Sequence, residues 1–193
     1  MHYPSGVKTT SNKTILYANR GMTLEQDINE TNKYYLIHDI AVVHKKPTPI
    51  VVKKVEFKSR NNAIIKDAIF KTPSTTDYNG IYKGKYIDFE AKETKSKTSF
   101  PISNFHIHQI NHLRSIIKHG GIAFIIVRFT SLNKTFYLDG NIFIDYVDNS
   151  NKKSIPYSFF TENGFLILDK YNQRVDYIKI IDNLYFKEVK YER

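Results

Sequence analysis

The sequence predicts a mixed α/β domain, a central mixed sheet with helices on its faces. Strand-like runs alternate with amphipathic helical stretches, and residues 122–129 are almost wholly apolar, as in a strand buried on both faces. Residues 73–92 add a hairpin, with β-branched and aromatic residues flanking the turn formers Asn79-Gly80 and Gly84. At 193 residues, 41% hydrophobic and 14% aromatic, the chain has the size and composition of one domain with a proper core.

Residues 1–18 carry Pro4, Gly6 and a polar run without periodicity, and read as a flexible N-terminal arm ahead of a single domain, 19–193. From Arg20 to Tyr35, Leu24, Ile28 and Tyr35 recur at near-helical spacing. Thr23 is placed to cap, and Glu25, Gln26 and Asp27 suit the first turn. Residues 37–44 read as a buried strand, ended by Lys45-Lys46-Pro47 because proline brings no amide to a ladder. Residues 50–57 and 63–70 read as two strands joined by the basic tip Lys58-Ser59-Arg60-Asn61-Asn62, an excursion before the hairpin.

After the hairpin, Lys92, Lys95 and Lys97 interleave with Thr94, Ser96, Thr98 and Ser99, a stretch suited to phosphate contacts. Residues 105–119 carry the strongest helical pattern. Asn104 caps it, Ile107, Ile110, Leu113, Ile116 and Ile117 form the buried face, and Gly120-Gly121 stops it. Residues 122–129 and 135–138 pair as strands. A short helix (142–147), a polar loop (149–154), a short strand (165–168) and a terminal helix (175–188, with Tyr177, Ile178, Ile181 and Tyr185 inward) follow.

The chemistry concentrates in the hairpin. Alternation along a strand puts Glu90 and Lys92 on one face and Phe89 and Ala91 on the other. A hairpin of this length carries Asp77 back toward Glu90, where two hard oxygen donors suit Mg²⁺ or Mn²⁺. Lys92 would then orient attacking water or offset charge growing on a phosphate. The competing reading makes the same residues solvated charges on the hairpin's outer face. His106, His108 and His112 raise zinc, but residue 109 is Gln, so the His-Glu-x-x-His arrangement fails, and the chain has no Cys.

A formal charge of +10 points to a polyanion such as nucleic acid, or to a merely basic soluble protein. The absence of Cys rules out disulfides and thiolate metal sites. No run nears the roughly 18 apolar residues of a membrane span, and the N-terminus lacks a secretion pattern, so the expectation is a cytoplasmic protein without a membrane partner.

Pro73-Ser74-Thr75-Thr76-Asp77-Tyr78-Asn79-Gly80, followed by Tyr86-Ile87-Asp88-Phe89-Glu90-Ala91-Lys92-Glu93-Thr94-Lys95, resembles the core of the RecU family of Holliday junction resolvases. Asn19-Arg20-Gly21-Met22 with Glu25, His38-Asp39-Ile40-Ala41-Val42, His44-Lys45-Lys46-Pro47-Thr48-Pro49, Thr98-Ser99-Phe100-Pro101, Asn104-Phe105-His106 with His108-Gln109-Ile110, and Asp176-Tyr177-Ile178 fall in the family's order. The resemblance implies a restriction-endonuclease-like fold with a projecting β stalk at about 48–72. It implies a Mg²⁺-dependent endonuclease that resolves four-way DNA junctions as a homodimer, in contact with the strand-exchange recombinase and the branch-migration machinery. Thr75, Asp77, Glu90 and Gln109 would surround the metal, Lys92 would stabilise the transition state, and Glu25 would be a supporting acid. Arg60 falls at a position tied to partner regulation and DNA handling, and Phe70 where an aromatic stacks on bases or packs the stalk's base. The alternative is a non-catalytic junction-binding or strand-annealing protein that uses the basic surface and stalk alone.

Overall fold

The computed structural model describes residues 22–59, 62–71 and 75–186. The arm expected at 1–18 lies outside the described residues, as do Arg60, Pro73, Ser74 and the last residues of the expected terminal helix.

Thr23 starts α1 (Leu24–Ile37): its hydroxyl accepts from the Gln26 amide while the Gln26 side chain accepts from the Thr23 amide, a reciprocal cap. The helix runs to Ile37, so the strand expected from residue 37 is shorter. A left-handed turn at Asp39 (φ 53°) precedes β1 (Val42–Lys45). β1 is a sheet edge with Val43 buried and Val42 exposed, not the strand buried on both faces that its apolar run predicts.

β2 (Ile50–Ser59) and β3 (Asn62–Phe70) pair antiparallel as a separate two-stranded sheet, the projecting stalk. β4 (Tyr78–Tyr82) and β5 (Lys85–Thr94) form the hairpin. Its turn is Lys83-Gly84, both at positive φ (45° and 75°), which matches the right-handed twist of the paired strands. Asn79-Gly80, expected near the turn, instead lies inside β4. Glycine is needed there for another reason: a Cβ on Gly80 would fall 2.1 Å from the Val42 carbonyl oxygen, so its absence lets β1 lie close.

β6 (Ser99–Pro101) leads to α2 (Ile107–Lys118). The helix is capped at His106, Asn104 ends a short 3₁₀ turn before it, and Ile107 is 69% exposed instead of buried. β7 (Ile122–Phe129), β8 (Lys134–Asp139), α3 (Gly140–Asn149), β9 (Ser154–Pro156), α4 (Tyr157–Asn163), β10 (Phe165–Ile167) and α5 (Ile178–Tyr185) complete the order. Neither α4 nor the β6–β9 pair was expected. α5 starts later than predicted, and Tyr185 is 40% exposed instead of inward.

The main sheet has six strands in the order β1-β4-β5-β7-β8-β10, with β5 and β7 parallel and the other pairs antiparallel. On one face, Leu24 and Ile28 of α1 and Ile181 of α5 pack with Ile87, Phe89, Phe124 and Ile126. On the other, Ile110 and Leu113 of α2, Phe143 of α3 and Phe160 of α4 pack with Ala123, Ile125, Val127 and Phe129. This is the expected mixed α/β arrangement, a central mixed sheet between two helical layers with a separate two-stranded β stalk. Across the first face runs a row of stacked rings, Tyr78 on Phe89 on Phe124 on Tyr137, with centroids 4.8, 4.6 and 4.5 Å apart. Each such pair adds about 0.5–1.5 kcal/mol beyond its buried area.

Candidate active site

The stacked rings settle where the acids go. With Phe89 committed to the α1 face, alternation turns Asp88, Glu90 and Lys92 to the α2 face, in register with Ala123, Ile125 and Val127 of β7. Asp88 and Glu90 are wholly buried and Lys92 is partly exposed.

Asp77 stands one residue before β4 and reaches Glu90 across the hairpin: its backbone N–H donates to Glu90 Oε2 at 3.0 Å. Lys92 Nζ lies 2.5 Å from Glu90 Oε1, a close ion pair with a buried oxygen. Burial pushes Glu90 up to about 7 from its ordinary 4.5; Lys92 opposes the rise, and the Asp77 carboxylate adds to it. A buried acid beside a second acid is a place where a cation is favoured.

The other expected metal-site residues are near in sequence or in space. Thr75 lies in the loop that carries Asp77, its hydroxyl 3.4 Å from the Thr76 carbonyl. Gln109 is buried on α2, and its Oε1 accepts from the His106 N–H at 3.0 Å. No described hydrogen bond joins either one to Glu90. Among the described residues no group of three or more His, Cys, Asp or Glu is placed to hold a metal. A metal held here would need, beside the two carboxylates, oxygens such as the hydroxyl of Thr75, the amide oxygen of Gln109 or water. Such an all-oxygen set suits a hard cation that keeps several waters.

Glu25 sits exposed in the first turn of α1 and ion-pairs with Lys45 at 2.5 Å; no described contact joins it to Asp77 or Glu90 side chains. The helix start is nevertheless tied to β5, since the Leu24 N–H donates to Glu93 Oε1 at 2.8 Å. Lys95 and Lys97 are exposed in the loop after β5. Phe70 is 82% exposed at the end of β3 opposite Ile50, so it does not pack the stalk's base. Of the histidines, His106 and His108 stack with ring centroids 5.3 Å apart, whereas His112 turns to Asp88.

Asp88 and its partners are what sequence reasoning missed. The buried carboxylate accepts from Thr76 Oγ1 on one oxygen. Its other oxygen meets Lys46 Nζ at 2.8 Å, Tyr86 OH at 3.0 Å and His112 Nε2 at 3.1 Å. Its place two residues before Glu90 was a usable signal; Lys46 and His112 gave none.

Two acids and a lysine at the end of a hairpin, on a mixed α/β sheet flanked by helices, define the class of site that metal-dependent nucleases carry. Residues 19–183 match the family RecU, Recombination protein U. A Holliday junction resolvase RecU of Bacillus cereus (strain G9842) and one of Bacillus anthracis (strain CDC 684 / NRRL 3495) are each 50% identical, over 96% of this chain and 98% of the relative. A 1.6 Å structure of an Archaeoglobus fulgidus Holliday junction resolvase aligns with TM-score 0.40 and 9% identity, over 69% of this chain and 88% of that one. The chain belongs to the RecU family, and it is a metal-dependent nuclease. No described helix is long and apolar enough to cross a membrane.

Proposed function

We propose that this protein is a Mg²⁺-dependent, structure-selective endonuclease that resolves four-way (Holliday) DNA junctions by paired symmetric nicks in recombination and repair. The observation that supports it is Glu90 on β5, ion-paired with Lys92 and bonded by the Asp77 backbone N–H, in a chain whose Bacillus relatives bear the name Holliday junction resolvase.

Asp77 and Glu90, with Thr75 and Gln109, would hold Mg²⁺, with Mn²⁺ as a substitute. When bound, the metal supplies Lewis-acid polarisation of the phosphate and acidifies water. Lys92, held against Glu90 but partly open to solvent, places a fixed positive charge where charge grows on the phosphoryl oxygens. Glu25 supports from the first turn of α1. Lys95 and Lys97 hold DNA by its backbone. Phe70, at the end of β3, stacks on exposed bases, worth ~1–3 kcal/mol per base, and Arg60 handles DNA and partner proteins. A junction has approximate two-fold symmetry, so a C₂ homodimer would present one site to each of two opposed strands. The strand-exchange recombinase and branch-migration helicase are the proposed protein partners, and the cytoplasm the compartment.

The test is cleavage of a synthetic mobile four-way junction beside a linear duplex of the same sequence, in Mg²⁺ and in EDTA. Metal-dependent symmetric nicking of the junction alone is expected. Tight junction binding without cleavage in Mg²⁺ or Mn²⁺ would overturn this function in favour of an architectural binder.

A further inference from the structure

Asp88 is a charged group at zero exposure that the mechanism above does not use. A buried carboxylate persists only when its lone pairs are met, and here every neighbour is a donor: the Thr76 hydroxyl, the Lys46 ammonium, the Tyr86 hydroxyl and the His112 ring in its Nε2–H form. The same lysine binds the loop twice more. Its ammonium donates to Thr76 Oγ1 at 3.0 Å, and its backbone N–H donates to the Asp77 carbonyl at 2.7 Å.

These contacts join the three segments that carry the proposed metal ligands. Thr76 lies between Thr75 and Asp77. Asp88 precedes Glu90 by one repeat on the same strand face, and His112 follows Gln109 by about one turn on α2. The ligands themselves share only the Asp77–Glu90 latch among the described hydrogen bonds. The loop, strand and helix are therefore set relative to one another by a group outside the ligand set.

We infer that Asp88, with Lys46, Thr76 and His112, is a positioning cluster that sets the spacing of the metal ligands, so that metal affinity is built into a buried network behind the site. The inference rests on the ligand assignment proposed above. The Lys46 ammonium already contacts both Asp88 and Thr76, which makes Asp88 a partner of a resident cation and not a further metal ligand. Neutralising Asp88 leaves the ammonium without its counter-charge, and the long side chain, 20% exposed, is free to swing out and release Thr76.

The experiment is Mn²⁺ binding to the full chain, followed by loss of the free ion's electron paramagnetic resonance signal, with circular dichroism and Tm alongside. Asp88→Asn and Thr76→Val, each folded at the measuring temperature, are expected to weaken Mn²⁺ binding roughly 10–100-fold, the range for residues that orient ligands. Thr76→Ser, which restores the hydroxyl, is expected to bind Mn²⁺ like the parent. A merely structural role would lower Tm and leave Mn²⁺ affinity alone. Folded Asp88→Asn or Thr76→Val with parental affinity would overturn the inference, and the near-isosteric Thr76→Val decides it if Asp88→Asn does not fold. Glu90→Ala separates the two layers: undiminished Mn²⁺ binding there would remove the ligand assignment, and this inference with it.

Discussion

The Asp77 amide donates to Glu90 Oε2 at 3.0 Å, so the loop before β4 is latched to the acid of β5 by a backbone group that no side-chain change at residue 77 removes. Asp77→Ala should therefore keep the parent's fold and an unfolding free energy within about 1 kcal/mol of the parent's, since the half-buried carboxylate makes no described hydrogen bond. Its junction cleavage should be lost. Thermal melts beside a cleavage assay check both, and a large fall in Tm would show that the carboxylate, not the amide, holds the loop.

Glu90 predicts a pH dependence of the metal-free protein. Its folded pKa is raised to about 7 from 4.5, so the folded chain holds the proton more tightly than the unfolded chain. Stability then falls as pH climbs from about 4.5 to 7 and levels off above, by up to about 3 kcal/mol for this group. Glu90→Gln should flatten that part of the Tm–pH curve, and added Mg²⁺ should offset the loss in the parent only. Parallel slopes for parent and Glu90→Gln would contradict this account.

Lys92→Ala should bind junctions like the parent and cleave them on the order of 10²–10³-fold more slowly, the scale for removing one preorganised group that meets developing charge. Single-turnover cleavage at saturating enzyme reads this directly. An equal loss in binding and cleavage would make Lys92 a DNA-holding residue instead.

Lys95→Ala with Lys97→Ala should weaken binding to junctions of any sequence. If each lysine neutralises one phosphate, the pair should make the log K against log salt plot shallower by roughly 1.8. Gel-shift titrations at several salt concentrations check it, and an unchanged slope would remove both from the DNA contact.

Phe70 is so exposed that Phe70→Ala should leave Tm unchanged. Junction affinity should fall by ~1–3 kcal/mol if the ring stacks on a base, while binding to linear duplex should stay level. Equal effects on both DNAs would argue against stacking at the crossover.

The face shared by Glu90 and Lys92 was legible from alternation alone, and so was Asp77's return across a hairpin of that length. Asp88 obeys the same alternation and still escaped notice. A lone Asp on a strand reads as solvated until its partners are known, and the two charged or titratable ones lie 42 residues before it, at Lys46, and 24 after it, at His112. Gly80 read as a turn residue because glycine marks both turns and close approaches, and only the position of β1 tells them apart. The apolar run from residue 37 overstated β1 because composition cannot apportion residues among a helix end, a turn and an edge strand. At 7 residues, α4 is too short for a 3.6-residue period to show.

The stacked row from Tyr78 to Tyr137 has one more consequence. A one-residue slip of β5 against its neighbours would exchange every side chain between faces. Phe89 would leave the stack, and Asp88 and Glu90 would be driven as bare charges into an aromatic core. A register slip of β5 thus cannot keep the core and lose the acids, or the reverse. Molecules of this protein should hold no register-slipped, intact but inert fraction, so specific activity should track the folded population through a denaturant titration.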